Sequence, residues 1–117
     1  MATLQNTSFT TSTTTVNVSV STTGTGLAFD KAGFFSATAL TSATSVSWNA
    51  GSNQSAVLVL GHNATIANAT NHANGGVYIL KVTQATSPKT LAWSTGYKWP
   101  GNTAPVMTAT GGAVDVF

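Results

Sequence analysis

Cysteine is absent from the 117-residue chain, which excludes disulfide bonds and thiolate metal sites. Arginine and glutamate are absent as well, and charged residues make up only 5% of the chain, whereas ordinary domains contain about a quarter. The net charge of +2 comes from four scattered lysines and two aspartates. With so few cations to neutralise phosphates, nucleic acid is not expected as a partner.

Long hydrophobic runs are missing too. The longest uninterrupted apolar run, 56–60, is far shorter than the roughly 20 residues that a membrane-spanning helix needs, so no membrane contact is expected. The N-terminus has no positive region followed by an apolar stretch. A secretion signal is therefore not expected either.

Threonine, serine and asparagine occupy the positions that other proteins give to lysine and glutamate. Threonine is β-branched and suits a pleated surface. Short strand patterns follow one another without a helical period, which predicts an all-β fold, an antiparallel β-sandwich of jelly-roll-like type. A surface with so little charge repels copies of itself weakly. This favours closely packed subunits, with a threonine-rich monomer as the alternative.

Two parts are predicted: an extended N-terminal arm, residues 1–12, and a single β-sandwich domain, residues 13–117. The arm is polar, with isolated apolar side chains at Leu4 and Phe9 that are too few to fold alone. It is interpreted either as a disordered segment or as an arm that lies on a neighbouring subunit. In the second case Leu4 or Phe9 is the anchor.

The strongest strand pattern is 76–84, which a double glycine opens. Read with period two, it places Tyr78, Leu80, Val82 and Gln84 on one dry face and leaves a mixed face opposite. A hairpin over 76–94 is predicted as the centre of the domain. The Asn-Gly-Gly sequence at 74–76 predicts a turn.

Other segments give weaker strand patterns. Residues 13–21 alternate, and Val46 and Trp48 share one face of a strand over 45–49. Residues 56–61 are apolar on both faces, which predicts a central strand. A further strand is predicted over 105–110.

Catalytic chemistry finds no support in the sequence. His62 and His72 are the only histidines, and no cysteine or glutamate is present to complete a metal site. The only carboxylates, Asp30 and Asp115, are interpreted as turn or strand-edge residues and not as an acid–base pair. No catalytic residue, metal or cofactor is predicted, and the chain is not expected to be an enzyme.

Five aromatic residues are candidates for a sugar-stacking surface: Trp48, Tyr78, Trp93, Tyr97 and Trp99. Core packing is the favoured interpretation of Trp93, because it shares a strand face with Leu91. Trp99 precedes Pro100 and is interpreted either as a lid over the end of the sheet or as an exposed contact.

The second half of the chain carries a longer motif: Gly61-x-Asn63-Ala64-Thr65-Ile66, Gly76-x-Tyr78-x-Leu80-x-Val82-x-Gln84, Leu91-x-Trp93, Lys98-Trp99-Pro100-Gly101, Pro105, Thr108 and Asp115. This pattern resembles a β-rich module of structural proteins from tailed phages, found in tail fibres and in capsid-associated proteins. The run from Tyr78 to Gly101 is its most specific part. Asn102 stands where the family tends to have a second glycine.

The resemblance implies a virion structural protein without catalytic activity. A chain of this length that starts with methionine is expected to be too short for a fibre shaft plus a tip. This favours a capsid decoration (cement) protein, a homotrimer on the outer capsid surface that bridges subunits of the major capsid protein. The candidate interface residues are Leu4, Phe9, Trp99 and Phe117, the last because an unpaired strand edge invites a partner. The alternative is a tail-fibre or receptor-binding module that contacts host surface glycans.

Overall fold

A computed structural model of the chain describes residues 36–52 and 54–117. All of them belong to the compact unit Phe34–Phe117. The predicted arm 1–12, with Leu4 and Phe9, lies outside the described residues, as do the predicted strand 13–21 and Asp30.

The described part is built from short strands and one helical turn. The strands are β1 (Ala37–Leu40), β2 (Ser45–Val46), β3 (Ser55–Leu60), β4 (Ala64–Ile66), β5 (Ile79–Gln84), β6 (Leu91–Trp93) and β7 (Val114–Val116). A single 3₁₀ turn, Pro100–Asn102, is the only helical element among these residues. The prediction of a β-rich chain is therefore confirmed. Within the described residues, no helix has the length and apolar character required to cross a membrane.

The strands form two sheets between which the chain alternates. Sheet A has the order β1-β3-β5-β7 and sheet B has the order β2-β4-β6. Ala37 pairs with Ser55, and Ser55 in turn pairs with Ile79, both in parallel register. The pairs of sheet B are parallel as well. Successive passes of the chain thus stack as coils, and hydrogen-bonded neighbours lie one coil apart.

The predicted antiparallel pairing is wrong for most of these strands. Among the described pairs, only β5 and β7 run antiparallel, and a jelly-roll-like connectivity is not confirmed. The predicted hairpin 76–94 is also wrong, because β5 lies in sheet A and β6 in sheet B. A hairpin needs a turn that reverses the chain within one sheet. Here the connection is a corner that leads to the other sheet.

The Gln84 side chain fixes this corner. It is buried, with 2% of its surface exposed. Its Oε1 accepts a hydrogen bond from Lys89 N at 2.9 Å, and its Nε2 donates to Lys89 O at 2.9 Å and to Thr108 O at 3.3 Å. The side chain thereby pairs with the backbone of the connecting segment, as a neighbouring strand would, and β6 begins in the other sheet.

Equivalent corners of successive coils are bound to one another. Gly61 N donates to Ser42 Oγ at 2.9 Å, and His62 Nδ1 lies 3.1 Å from the same oxygen. Thr90 N donates to Asn63 Oδ1 at 3.0 Å. The first two contacts join the corner after β1 to the corner after β3. The third joins the corner after β3 to the corner after β5. They hold the coils in parallel register.

Period-two patterning correctly predicts which side chains are buried. Leu80, Val82 and Gln84 are buried while Ile79 is 48% exposed, and Val46 is buried together with Trp48, as predicted. A single cluster contains buried side chains of both sheets, among them Leu58, Leu60, Ile66, Val46 and Val82. The removal of this aliphatic surface from water stabilises the packing of the two sheets.

The other face of sheet A is exposed and apolar. Strand β3 is central, between β1 and β5, as predicted, yet Val59 is 63% exposed. Ile79, Val114 and Val116 are exposed on the same side of the neighbouring strands. We call these four residues, together with Lys81, the outer face of sheet A.

The predicted strand 105–110 does not form. Val106 is 90% exposed and Met107 is buried, so burial alternates along the segment as predicted. The backbone, however, does not pair with a neighbouring strand. The carboxylate of Asp115, a residue of the edge strand β7, accepts hydrogen bonds from Thr108 N at 3.0 Å and from Thr108 Oγ1 at 2.8 Å. Thr108 O accepts from Gln84. Side chains therefore bind the backbone N–H and C=O of Thr108, which in a sheet would pair with a neighbouring strand.

Candidate functional site

Two of the predicted interface residues, Trp99 and Phe117, contact the same ring, that of Trp93. The Trp93 ring is edge-to-face with both, and each centroid distance is 4.9 Å. Tyr97 joins the group at 5.3 Å from Trp93 and is nearly parallel to Trp99, at 6.4 Å. Such pairs contribute about 0.5–1.5 kcal/mol each beyond burial. Leu4 and Phe9 lie outside the described residues, so their predicted role stays a prediction.

A second aromatic pair lies nearby. Trp48 and Tyr78 are edge-to-face, with ring centroids 6.0 Å apart. Tyr78 Oη accepts a hydrogen bond from Ala73 N at 2.7 Å, which ties the loop 67–78 to the ring. A turn over Asn74 and Gly75 ends this loop as predicted, with Gly75 at a φ of 78°, where glycine is favoured.

The position of Tyr97 is set by the close approach of the Gly96 backbone to the Asn68 side chain. Gly96 N donates to Asn68 Oδ1 at 2.8 Å, and a Cβ at Gly96 would lie 2.5 Å from the same oxygen. Only glycine fits this approach without displacing Asn68. Tyr97 Oη then donates to Ala67 O at 2.9 Å. The turn after β6 and the loop 67–78 are thus held against each other.

Trp99 is positioned by the helical turn that follows it. Its backbone is extended, and Asn102 N donates to Trp99 O at 3.0 Å to close the turn Pro100–Asn102. Proline at the first position of the turn has the backbone angle that the turn requires. The ring is half-buried against Trp93. Trp99 is therefore packed on one side and accessible on the other.

Between these elements lies a cleft of about 690 Å³, which we call the aromatic cleft. Its aromatic walls are Trp48, Tyr78, Trp93, Tyr97, Trp99 and Phe117. Its polar side chains are Asn68, His72, Asn74 and Lys98. Among the described residues that line the cleft, Lys98 is the only one with a charged side chain, and none is an aspartate or a glutamate. All five aromatic residues singled out from the sequence are therefore brought together.

Two buried polar atoms at this site have no hydrogen-bond partner among the residues that the structure describes. The indole nitrogens Nε1 of Trp48 and Trp93 are buried and donate no hydrogen bond within the described part of the chain. Trp48 is only 6% exposed, and both rings line the cleft. Leaving a buried donor without an acceptor costs about 1–3 kcal/mol. Unpaired groups of this kind call for an explanation.

The hydroxyl of Tyr97 gives the site a pH dependence. Burial raises the pKa of Tyr97 above the ordinary tyrosine value, and a hydrogen bond from the backbone of Ala69 opposes part of this shift. Because folding favours the neutral hydroxyl, its stabilising contribution is complete below the ordinary pKa of about 10. The contribution is lost as the pH rises from there through the higher folded pKa.

We therefore expect delayed ionisation of one tyrosine in the folded chain. Phenolate absorbance measured during an alkaline titration should show a late step for Tyr97, and this step should be missing in Tyr97→Phe. The free energy of unfolding should fall more steeply above pH 10 in the parent chain than in this variant. A late step that persists in Tyr97→Phe contradicts the assignment.

His62, His72 and Asp115 each have a different hydrogen-bond partner among the described residues. Both histidines are exposed, and the Nδ1 atoms of His62 and His72 lie beside Ser42 Oγ and Ala69 O respectively. The Asp115 carboxylate binds Thr108. Within residues 36–52 and 54–117, no three metal-ligating side chains of histidine, cysteine, aspartate or glutamate come together.

Sequence reasoning missed the polar wall of the cleft. Asn68, His72 and Asn74 lie in a loop without regular periodicity. Asn74 was predicted only as the first residue of the turn at 74–76, and His72 was considered only as a metal ligand.

Comparison with known proteins adds no relative. No protein-family model matches the chain, no curated protein matches it, and no solved structure matches it.

Proposed function

We propose that the chain is a structural protein of a tailed-phage virion, a capsid decoration protein on the outer surface of the head. It bridges neighbouring subunits of the major capsid protein and thereby stabilises the shell. The observation that carries this proposal is the outer face of sheet A, which is apolar, exposed and almost uncharged. The motif from Tyr78 to Gly101 supplies the link to phage virions.

The strand register makes the outer face continuous. Val59 and Val114 lie on either side of Thr83 in one row, and Val116 lies beside Lys81 in the next row. Contiguous exposed apolar surface of this kind marks sites of protein contact. A lone lysine at its centre is easily accommodated, because its aliphatic stem covers apolar surface while the ammonium group reaches water.

The size of this face argues for additional contacts. Its strands have four, six, six and three residues, and at about 3.3 Å per residue and about 4.8 Å between strands they cover roughly 300 Å². A stable interface buries about 800 Å² on each partner. The predicted arm 1–12, anchored by Leu4 or Phe9, is our proposed source of the remainder. Three copies arranged about an axis, the proposed homotrimer, give such arms neighbours to lie on.

The fold suits this mechanical role. We propose that sheets A and B are the two layers of a sandwich, wound as a parallel solenoid, because buried side chains of both belong to one cluster. A body of stacked coils offers flat sheet faces to neighbours. The proposed role requires no catalytic residue and no cofactor.

Binding to capsids tests the proposal. Purified chain is added to phage heads that lack it, and the bound fraction is measured by co-sedimentation. We expect the double variant Val59→Lys and Val116→Lys to lose at least tenfold in affinity, since charge is then desolvated in the contact. Val106→Lys is the matched control, because Val106 is exposed outside both sheets. Undiminished binding of the double variant would rule out the outer face.

A second candidate is a tail-fibre or receptor-binding module that contacts host glycans, and the aromatic cleft favours it. Copy number separates the two roles. A decoration protein is present in numbers comparable with the capsid subunits, whereas a tail protein is present in a few copies per particle. Quantitative mass spectrometry of purified virions gives the ratio directly.

A further inference from the structure

We propose that the aromatic cleft binds a neutral saccharide of one or two rings. This inference goes beyond the capsid role, because the cleft and the outer face of sheet A are formed by different residues. It holds wherever the chain is located in a virion, and it gives the cleft a ligand class that can be tested on the purified chain.

The rings supply the stacking surface. Tyr97 and Trp99 both line the cleft, are half-buried, and have ring planes within 16° of parallel. An aromatic face carries partial negative charge. The C–H groups on one side of a pyranose ring carry partial positive charge and form a flat apolar surface. Stacking of the two removes apolar area from water on both sides.

The polar lining selects an uncharged ligand. Asn68 and Asn74 carry amides that both donate and accept, and His72 has a ring nitrogen beyond its contact with Ala69 O. Among the described lining residues only Lys98 has a charged side chain, so an anion of more than one charge finds no second cation there. A cation finds no aspartate or glutamate side chain in the same set. Hydroxyl groups match this set best.

The volume also agrees with a small ligand. About 690 Å³ falls within the range of about 300–1,000 Å³ that small-molecule sites occupy. One or two sugar rings fit this space, whereas a folded partner domain does not enter it.

Titration of the purified full-length chain tests the inference. The probes are N-acetylglucosamine, lactose, maltose and cellobiose, followed by tryptophan fluorescence and by isothermal calorimetry. We expect saturable binding of at least one probe at a stoichiometry of one per chain. Trp99→Ala should weaken it at least fivefold, because a ring that stacks on the sugar is lost.

A matched pair of histidine variants separates the cleft from the rest of the surface. Both histidines are exposed, but only His72 lines the cleft. His72→Ala should weaken binding severalfold while His62→Ala leaves it unchanged, and neither substitution touches the core. This pair keeps the test valid if Trp99→Ala does not fold, as judged by circular dichroism.

Several results would overturn the inference. Folded protein that binds none of the four sugars excludes it, as does binding that His72→Ala and Trp99→Ala leave intact. Tighter binding of sialyllactose than of lactose excludes a neutral ligand. Self-association that depends on Trp99 in the absence of sugar binding assigns the cleft to a second copy. None of these outcomes bears on capsid binding through the outer face, so the two proposals fail separately.

Discussion

Replacing Gln84 with leucine is expected to lower the free energy of unfolding by about 3 kcal/mol. The amide binds both backbone groups of Lys89 and also Thr108 O. Leucine has similar bulk but leaves these groups without partners, and each buried unsatisfied group costs about 1–3 kcal/mol. Urea denaturation followed by circular dichroism measures the change. The corner after β5 should also become more accessible to protease.

Gln54 is the control for this substitution. Its Nε2 donates a single hydrogen bond, to Val77 O at 3.2 Å, in an exposed position. Gln54→Leu should therefore cost less than about 1 kcal/mol, because water replaces the lost bond. Equal effects at the two positions would show that the Gln84 side chain does not hold the corner.

Ile66→Ala is expected to destabilise the chain by about 3 kcal/mol. Ile66 is fully buried on β4, within the cluster that contains side chains from both sheets. Truncation removes buried methyl groups and leaves a cavity, and such changes cost about 2–5 kcal/mol in packed interiors. The same urea experiment gives the value, with the slope of the transition as a check on two-state behaviour.

Ile79→Ala is the matched control, since Ile79 is also a strand residue but is 48% exposed on the outer face of sheet A. Its truncation should cost no more than about 1 kcal/mol in the isolated chain. Should the two isoleucine variants prove equally stable, the two sheets would not share one core. If the proposed capsid role holds, Ile79→Ala is expected instead to weaken capsid binding.

The faces of the strands could be predicted from the sequence because burial follows a local period. Val82 and Gln84 are spaced by two residues, and that spacing alone puts both on one side of β5. The pairing of strands is not a local property. Side chains at the corners, such as Ser42 and Asn63, hold the coils in parallel register, and nothing in the apolar pattern marks them.

The same distinction explains the missing strand at 105–110. Val106 and Met107 alternate between exposed and buried as a strand requires. The backbone at Thr108 is nevertheless bound by side chains that lie far away in the sequence or across a turn. A pattern of hydrophobicity records which side faces the core. It does not record which hydrogen-bonding partner the backbone will find.

The site was predicted in part for a related reason. Large aromatic residues are few in this chain, so their mutual proximity was a reasonable hypothesis, and the cleft brings Trp48, Tyr78, Trp93, Tyr97 and Trp99 together. The loop that completes the cleft is positioned by single contacts, such as that between Asn68 and Gly96. Such contacts leave no periodic trace in the sequence.

The stacked arrangement of strands has a consequence for how fast the chain folds. Ser55 must find Ile79, and Lys81 must find Val116, before either pair contributes a hydrogen bond. Closing such loops is entropically unfavourable, and topologies dominated by distant partners fold over milliseconds to seconds. During that interval β3 and β5 remain without their final neighbours. A newly synthesised chain therefore reaches its native state slowly for its length, with its most aggregation-prone strands exposed on the way.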